Sequence, residues 1–189
     1  MEEKKKILVG ITGASGMLFL QSFLQMIQQL ESVELHGVCS QSGRQVVELE
    51  LDCSVSELQG VSTWFDYSDF SAPPSSGSSG YDGMVILPCT MGTLAAIAGG
   101  LSTNLIHRAA DVILKEKKKL ILAVRETPFN RTHLHNMLQV HDAGGIICPP
   151  MPSYYLKPKT LDEAALSYCW RLVDQLGFQI DNRKRWIGK

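Results

Sequence analysis

Apolar runs of strand length alternate with longer amphipathic runs along this chain. The short runs predict five buried strands, at residues 7–11, 33–39, 84–87, 119–124 and 145–148. Apolar residues that recur at helical spacing predict six helices, at residues 15–30, 43–51, 93–98, 104–117, 132–142 and 160–176. This alternation predicts an α/β fold: one Rossmann-like domain over residues 1–189, a three-layer sandwich in which a mostly parallel sheet carries helices on both faces.

The end of the first predicted strand has the features of a phosphate-binding turn. Gly13, Ala14 and Ser15 lead directly into a helix, so that glycine allows a close approach and the helix start supplies N–H donors. A tight turn without a ligand is the alternative. A dinucleotide would require an acidic residue at the end of the second strand, where this chain has Ser40. The pattern therefore favours a mononucleotide such as FMN over NAD, and Arg44 leaves NADP open.

Two further strand ends carry polar residues at the same predicted edge of the sheet. Thr90, Met91, Gly92 and Thr93 follow the third strand, where hydroxyls and a glycine suit either a ligand or an ordinary helix cap. The fourth strand is followed by Arg125 and Glu126. An arginine there suits a phosphate and a glutamate suits proton transfer, while a mutual ion pair is the competing interpretation.

Composition and charge exclude several classes of partner. With 18 basic and 19 acidic residues the formal net charge is −1, so no global field favours nucleic acid or an anionic membrane. The uncharged stretches 7–30 and 83–106 are interrupted by glycine and polar residues, which argues against membrane spans. Five scattered cysteines without a C-x-x-C pair indicate buried thiols in a reducing cytoplasm rather than disulfides or zinc.

Three other features of the sequence allow only partial interpretations. His133, His135 and His141 lack a partnering carboxylate motif and are predicted to be surface residues, so no metal is expected. The Ser-rich stretch 71–80 is predicted to be a functional loop over a site rather than a linker. Residues 181–189 form a polar tail that is expected to dock on a neighbouring subunit, and residues 52–70 receive no assignment.

Eight short motifs follow one another between the first predicted strand and the last predicted helix. They are Gly10-Ile-Thr-Gly-Ala-Ser-Gly16, Ala72-Pro-Pro-Ser-Ser-Gly-Ser-Ser79, Pro88-Cys-Thr-Met-Gly-Thr93, Asn104-Leu-Ile-His-Arg-Ala-Ala-Asp111, Leu114-Lys-Glu116, Arg125-Glu-Thr-Pro128, His133-Leu-His-Asn-Met-Leu138 and Pro149-Pro-Met-Pro-Ser-Tyr-Tyr155. Together they resemble the UbiX-type flavin prenyltransferases over about residues 5–177.

The resemblance implies a metal-independent transferase that joins a dimethylallyl group, taken from dimethylallyl phosphate, to N5 and C6 of reduced FMN. It also implies a homo-dodecamer with active sites at subunit interfaces. The prenylated FMN would pass to a decarboxylase of the UbiD type.

The resemblance also implies a role for each matching residue. FMN would be held by Gly13, Ala14, Ser15, Ser40, Thr90, Met91, Gly92, Thr93 and Arg125. The prenyl phosphate would be held by Tyr155, Arg171, Arg108 and Lys115. Catalytic roles would fall to Ser15, Glu50, Lys115 and Glu126. From the residues alone, Arg108 and Lys115 are only a basic stripe on one helix face.

The chain departs from the family pattern at one loop position, and two alternative functions compete with the transferase. Ser79 stands where the family tends to have a bulky aromatic residue, and Tyr81 is a candidate substitute ring. An FMN-dependent cysteine decarboxylase shares the fold but would need a histidine shortly before the third-strand motif. This chain has none between His36 and His107. A non-catalytic flavin-binding partner could dispense with the five residues Glu50, Lys115, Glu126, Tyr155 and Arg171, yet all are present.

Overall fold

Six strands form one sheet in the computed structural model of the chain, which describes residues 4–180 and Arg183. The strands are β1 (Lys5–Ile11), β2 (Val33–Cys39), β3 (Thr63–Phe65), β4 (Gly83–Cys89), β5 (Lys119–Val124) and β6 (Ile146–Ile147). They lie in the order β3-β2-β1-β4-β5-β6, and every neighbouring pair is parallel. The order of strands reverses between β1 and β4, where open α/β sheets place their ligands.

Helices cover both faces of this sheet. They are α1 (Met17–Gln28), α2 (Gln41–Leu51), α3 (Met91–Ala98), α4 (Leu105–Lys115), α5 (Arg131–Asp142) and α6 (Leu161–Leu176). Alternate residues of the buried strands point to opposite faces, so α1, α2 and α6 enclose one apolar core and α3, α4 and α5 the other. The predicted three-layer α/β class is confirmed.

Helix starts differ from the sequence prediction because caps define them. α1 begins at Met17 rather than at residue 15, since the chain turns at Gly16 first. α2 begins at Gln41, two residues before its predicted start, because Ser40 already caps it. None of the helices in the described residues is long and apolar enough to cross a membrane.

Residues 52–70 and 71–80, for which the sequence predicts no helix or strand, are ordered in different ways. The unassigned stretch contains β3, which extends the sheet beyond β2. The Ser-rich stretch forms two 3-10 turns, Pro73–Ser75 and Gly77–Ser79, and buries Pro74 against α4. Apart from Arg183, which pairs with Asp174, the tail predicted to dock on a neighbouring subunit lies outside the described residues.

Candidate functional site

Three helices begin side by side where the central strands end. α1, α2 and α3 follow β1, β2 and β4, which are adjacent in the sheet. The Ser40 hydroxyl accepts the N–H of Gly43 at 3.0 Å, and the Thr90 hydroxyl accepts the N–H of Thr93 at 3.2 Å. The positive ends of three helix dipoles therefore converge at one edge, which favours an anion.

The turn after β1 lies directly against the first turn of α2. A Cβ atom at Gly13 would stand 2.5 Å from the Ser42 side chain, so this position accepts only glycine at the observed spacing. The Ser42 and Ser40 hydroxyls are 3.3 Å apart. Gly13, Ala14, Ser15 and Ser40, all predicted to contact one ligand, are therefore brought together.

Thr12, which the sequence analysis left without a role, joins β1 to the turn after β4. Its side chain donates to the carbonyl of Pro88 at 2.8 Å and accepts the N–H of Thr90 at 2.9 Å. The residue is 3% exposed. A buried hydroxyl needs hydrogen-bond partners nearby. A threonine directly after a strand that is predicted to be buried could therefore have been singled out from the sequence.

Glu50, at the end of α2, binds the N-terminus of α1. Its Oε2 atom accepts the N–H of Gly16 at 2.9 Å and that of Met17 at 2.8 Å. Partial burial acts to raise the pKa of Glu50. Hydrogen bonds from the Ser15 hydroxyl and these two amides, with the charge of Arg125, lower that pKa below its ordinary value. Glu50 is therefore an ionised group within the site.

We expect Glu50→Gln to change the pH dependence of folding stability. Because the folded-state pKa is below 4.5, the ionised carboxylate stabilises the fold above that value and loses this contribution as the pH falls through the lowered pKa. Wild type should be more stable than Glu50→Gln near neutral pH, and the difference should shrink on acidification. Chemical denaturation of the flavin-free protein across that range measures it, with Glu48→Gln on the same helix as the control. A difference that is independent of pH would contradict the expectation.

Arg125 reaches this edge from the end of β5. Its backbone N–H donates to the Cys89 carbonyl at 3.1 Å, which fixes the residue beside the turn after β4. Its Nε atom is buried and has no hydrogen-bond partner within the described residues. A buried donor without a partner is costly, and an acceptor on a ligand would satisfy it. This atom fits a flavin phosphate or carbonyl oxygen.

The alternative of an Arg125–Glu126 ion pair is not observed in the described part of the chain. Glu126 is exposed and its Oε1 atom accepts the N–H of Thr127 at 2.9 Å. Arg125 instead exerts its charge on Glu50. The sequence had given no reason to connect these two residues, which are 75 positions apart.

Cys39 and Cys89 are the last residues of β2 and β4, and their thiols are buried. Burial raises the pKa of Cys39 to about 12 and raises that of Cys89 further. Both thiols are therefore neutral and hydrogen-bond to the next carbonyl along the chain. A thiolate nucleophile is excluded at these two positions.

In a single copy of the chain, Arg108 and Lys115 are bonded beside the Ser-rich stretch. Arg108 donates from Nε to the Ser75 carbonyl at 3.0 Å and pairs with Asp111 at 2.7 Å. Lys115 pairs with Glu116 and lies against Gly77 of the Ser-rich stretch. Lys115 ends α4 shortly before β5 begins, whereas Arg125 follows the end of β5. A six-residue strand separates these two edges by about 20 Å.

Tyr155 and Arg171 both have exposed side chains on the surface of the molecule. Tyr155 lies in the turn Tyr154–Leu156 and is 54% exposed. Arg171 is exposed on α6 and its Nη1 atom donates to Asp174 at 3.1 Å. In one copy, therefore, Arg171 makes the surface ion pair of an ordinary helix.

Tyr81 cannot replace the aromatic residue that the family has near position 79. It is 7% exposed, and its hydroxyl lies 2.6 Å from Nδ1 of His36 within the core. Burial raises the pKa of Tyr81. Among the described residues, no three His, Cys, Asp or Glu side chains are grouped as metal ligands. His133 caps α5 with Asn130, while His135 and His141 are exposed as predicted.

Comparisons with known proteins place the chain in one family. Residues 1–173 match the family model described as Flavoprotein. A probable UbiX-like flavin prenyltransferase of Bacillus subtilis is 42% identical, with 98% of this chain and 91% of the relative covered. A crystal structure of AnUbiX in complex with FMN and dimethylallyl pyrophosphate has a TM-score of 0.95 at 37% identity, covering 99% of this chain and all of the other.

A second solved structure adds an assembly state. It is a dodecameric FMN-dependent UbiX-like decarboxylase from Escherichia coli O157:H7, with a TM-score of 0.93, 38% identity, and coverage of 97% of this chain and all of the other. The family match spans most of the chain, and the identities exceed 35% over nearly its whole length. This chain belongs to the flavoprotein family and, within it, to the UbiX-type flavin prenyltransferases.

Proposed function

We propose that this protein transfers a dimethylallyl group from dimethylallyl phosphate to reduced FMN without a metal. The observation that carries the proposal is the buried, unpartnered Nε of Arg125 at the edge where three helices begin. The similarity to a protein solved with FMN and dimethylallyl pyrophosphate supports the same assignment. Five described cysteines without a disulfide are consistent with a cytoplasmic enzyme.

FMN would bind across the switch point between β1 and β4. Gly13, Ala14, Ser15 and Ser40 would contact it from one side, and the turn from Thr90 to Thr93 from the other. The amides of Gly16 and Met17 already bind Glu50, so the anionic end of FMN would take its donors from the starts of α2 and α3 and from Arg125. Reduced FMN, when bound there, would supply N5 and C6 as the atoms that accept the prenyl group.

Glu50 and Ser15 are suited to proton transfer beside that acceptor. The Ser15 hydroxyl donates to Glu50, whose lowered pKa keeps the carboxylate ionised and able to accept a proton through the serine. Glu126 lies next to Arg125 with its side chain exposed at the same edge. We assign Glu126 a second proton-handling role near the leaving phosphate.

The four residues assigned to the donor phosphate do not contact this edge in one copy. Arg108 and Lys115 pair with acidic neighbours beside the Ser-rich stretch, with Lys115 about 20 Å away by the strand-length estimate, and Tyr155 and Arg171 lie on the outer surface. We therefore assign these four residues to sites completed by neighbouring copies. A dodecameric relative supports an assembly of this kind, and we propose the same state here. A UbiD-type decarboxylase would receive the product.

The direct test is anaerobic incubation with reduced FMN and dimethylallyl phosphate, followed by mass spectrometry of the extracted flavin. We expect the flavin mass to increase by one dimethylallyl group. An unchanged mass under conditions that support a known transferase would overturn the proposal.

We expect Arg171→Lys to impair use of the donor while FMN stays bound. Arginine holds a phosphate through two parallel hydrogen bonds that lysine cannot reproduce, and this matters most as the C–O bond breaks. The loss in kcat/KM for dimethylallyl phosphate should be at least about tenfold, which corresponds to about 1.4 kcal/mol. Steady-state kinetics at saturating FMN measure it, with the flavin spectrum as the control. Near-normal kinetics would leave Arg171 with only its surface pair to Asp174.

An FMN-dependent cysteine decarboxylase is the second candidate, and one observation disfavours it. That activity would need an accessible histidine before the turn after β4. The nearest preceding histidine is His36, which is 9% exposed and bonded to Tyr81 and Glu34. No described histidine lies between His36 and the turn after β4.

A further inference from the structure

The Thr12 side chain makes two hydrogen bonds across the switch point of the sheet. Thr12 directly follows β1. Both of its partners, Pro88 and Thr90, lie at the end of β4 and in the turn that follows. The Thr12 backbone N–H also donates to the Pro88 carbonyl, at 3.3 Å. Thr12 is thus bonded through three contacts to the neighbouring strand end.

These contacts join the two halves of the proposed flavin site. Gly13 follows Thr12 directly, so the position of the Gly13–Ser15 turn depends on where Thr12 is held. Thr90 caps α3 and bonds to Thr93, so its N–H sets where that turn begins. The Thr12 side chain is therefore a hydrogen-bonded link from the residue after β1 to the turn after β4.

We propose that Thr12 is a positioning residue for flavin binding, through which the Gly13–Ser15 turn and the Thr90–Thr93 turn are held at a fixed separation. This inference rests on the proposed binding of FMN across β1 and β4. Thr12 is buried, so it would act on the ligand only through its neighbours. A ligand that contacts both turns at once loses affinity when their separation is no longer fixed. The free-energy cost of ordering the two turns then opposes binding.

Thr12→Val tests the role because valine keeps the branched shape and removes the hydroxyl. In Thr12→Val the Thr90 N–H loses its acceptor, and the Pro88 carbonyl loses one of its two donors from Thr12. We expect the dissociation constant for FMN to rise at least about tenfold, because binding would then have to fix the separation of the two turns. KM for dimethylallyl phosphate should stay unchanged at saturating FMN. Thr12→Ser, which keeps the hydroxyl, should restore FMN affinity.

Ser167→Ala is the matched control, since Ser167 is also 3% exposed. Its hydroxyl donates to the Ala164 carbonyl at 2.7 Å and accepts the N–H of Ser153 at 3.2 Å, away from the switch point. It should lower thermal stability without changing FMN affinity. If Thr12→Val does not fold, as judged by circular dichroism, Thr12→Ala replaces it in the same titration.

The outcomes separate this inference from the proposed function. Loss of FMN affinity in Thr12→Val, rescue in Thr12→Ser and no loss in Ser167→Ala support the positioning role. Wild-type FMN affinity in the folded Thr12→Val protein, with only a lower melting temperature, would overturn it and leave the proposed function intact. Absence of FMN binding by the wild-type protein would overturn the proposed function itself.

Discussion

Arg125→Met is expected to lose most flavin binding while the flavin-free protein loses little stability. The buried Nε of Arg125 has no partner in the described structure, so the free protein carries the cost of an unsatisfied donor. Methionine keeps an unbranched apolar stem and removes that cost. The bound flavin, however, loses a charge-assisted contact of about 1.5–3 kcal/mol, and affinity should fall by about 10- to 150-fold.

Titration with FMN and thermal denaturation of the flavin-free protein measure the two effects separately. Arg125→Lys is the matched variant, because it keeps the charge near Glu50 but lacks the Nε donor. If both variants bind FMN as tightly as wild type, Arg125 does not contact the flavin. A large loss of stability in flavin-free Arg125→Met would show that the residue is structural instead.

Mixed oligomers of Glu50→Gln and Lys115→Ala are expected to recover activity that neither variant has alone. The two residues lie at opposite edges of the sheet in one copy, so we assign them to a shared site only across a subunit interface. Each uniform oligomer should lose at least about a hundredfold in turnover, as expected when a group that stabilises the transition state is removed. Random one-to-one mixing should leave about a quarter of the sites with both native residues.

Coexpression with two different affinity tags provides such mixed oligomers. The matched control is a mixture of Glu50→Gln with Arg125→Met, whose altered residues lie at one edge of the same copy and cannot be restored by a neighbour. Recovery in the first mixture and none in the second is expected. Equal inactivity of both mixtures would place Lys115 and Glu50 in the site of one copy.

Long apolar strands were predictable from the sequence because burial on both faces leaves a continuous signal. The bounds of Val33–Cys39 and Lys119–Val124 agree with the structure residue for residue. Thr63–Phe65 escaped prediction because three residues at an edge, only partly buried, carry no recognisable period. Helix starts were misjudged by about two residues where a cap rather than an apolar residue defines them.

The candidate site was predictable where residues follow strand ends and unpredictable where they come from elsewhere in the fold. Topology alone places Gly13, Thr90 and Arg125 at one edge. The bond from Glu50 to the start of α1 depends on how two helices pack. The seven-residue spacing of Arg108 and Lys115 indicates a common helix face, but it does not indicate which edge of the sheet that face approaches.

The lengths of the two outermost strands affect whether copies of the chain can aggregate through the edges of their sheets. The described sheet ends in β3 on one side and β6 on the other, which have three and two residues. A short edge strand offers few unpaired N–H and C=O groups to a strand from another chain. Edge-to-edge polymerisation is therefore disfavoured. In the oligomer that we propose, contacts between copies would be made by helices and loops, which can form a closed assembly.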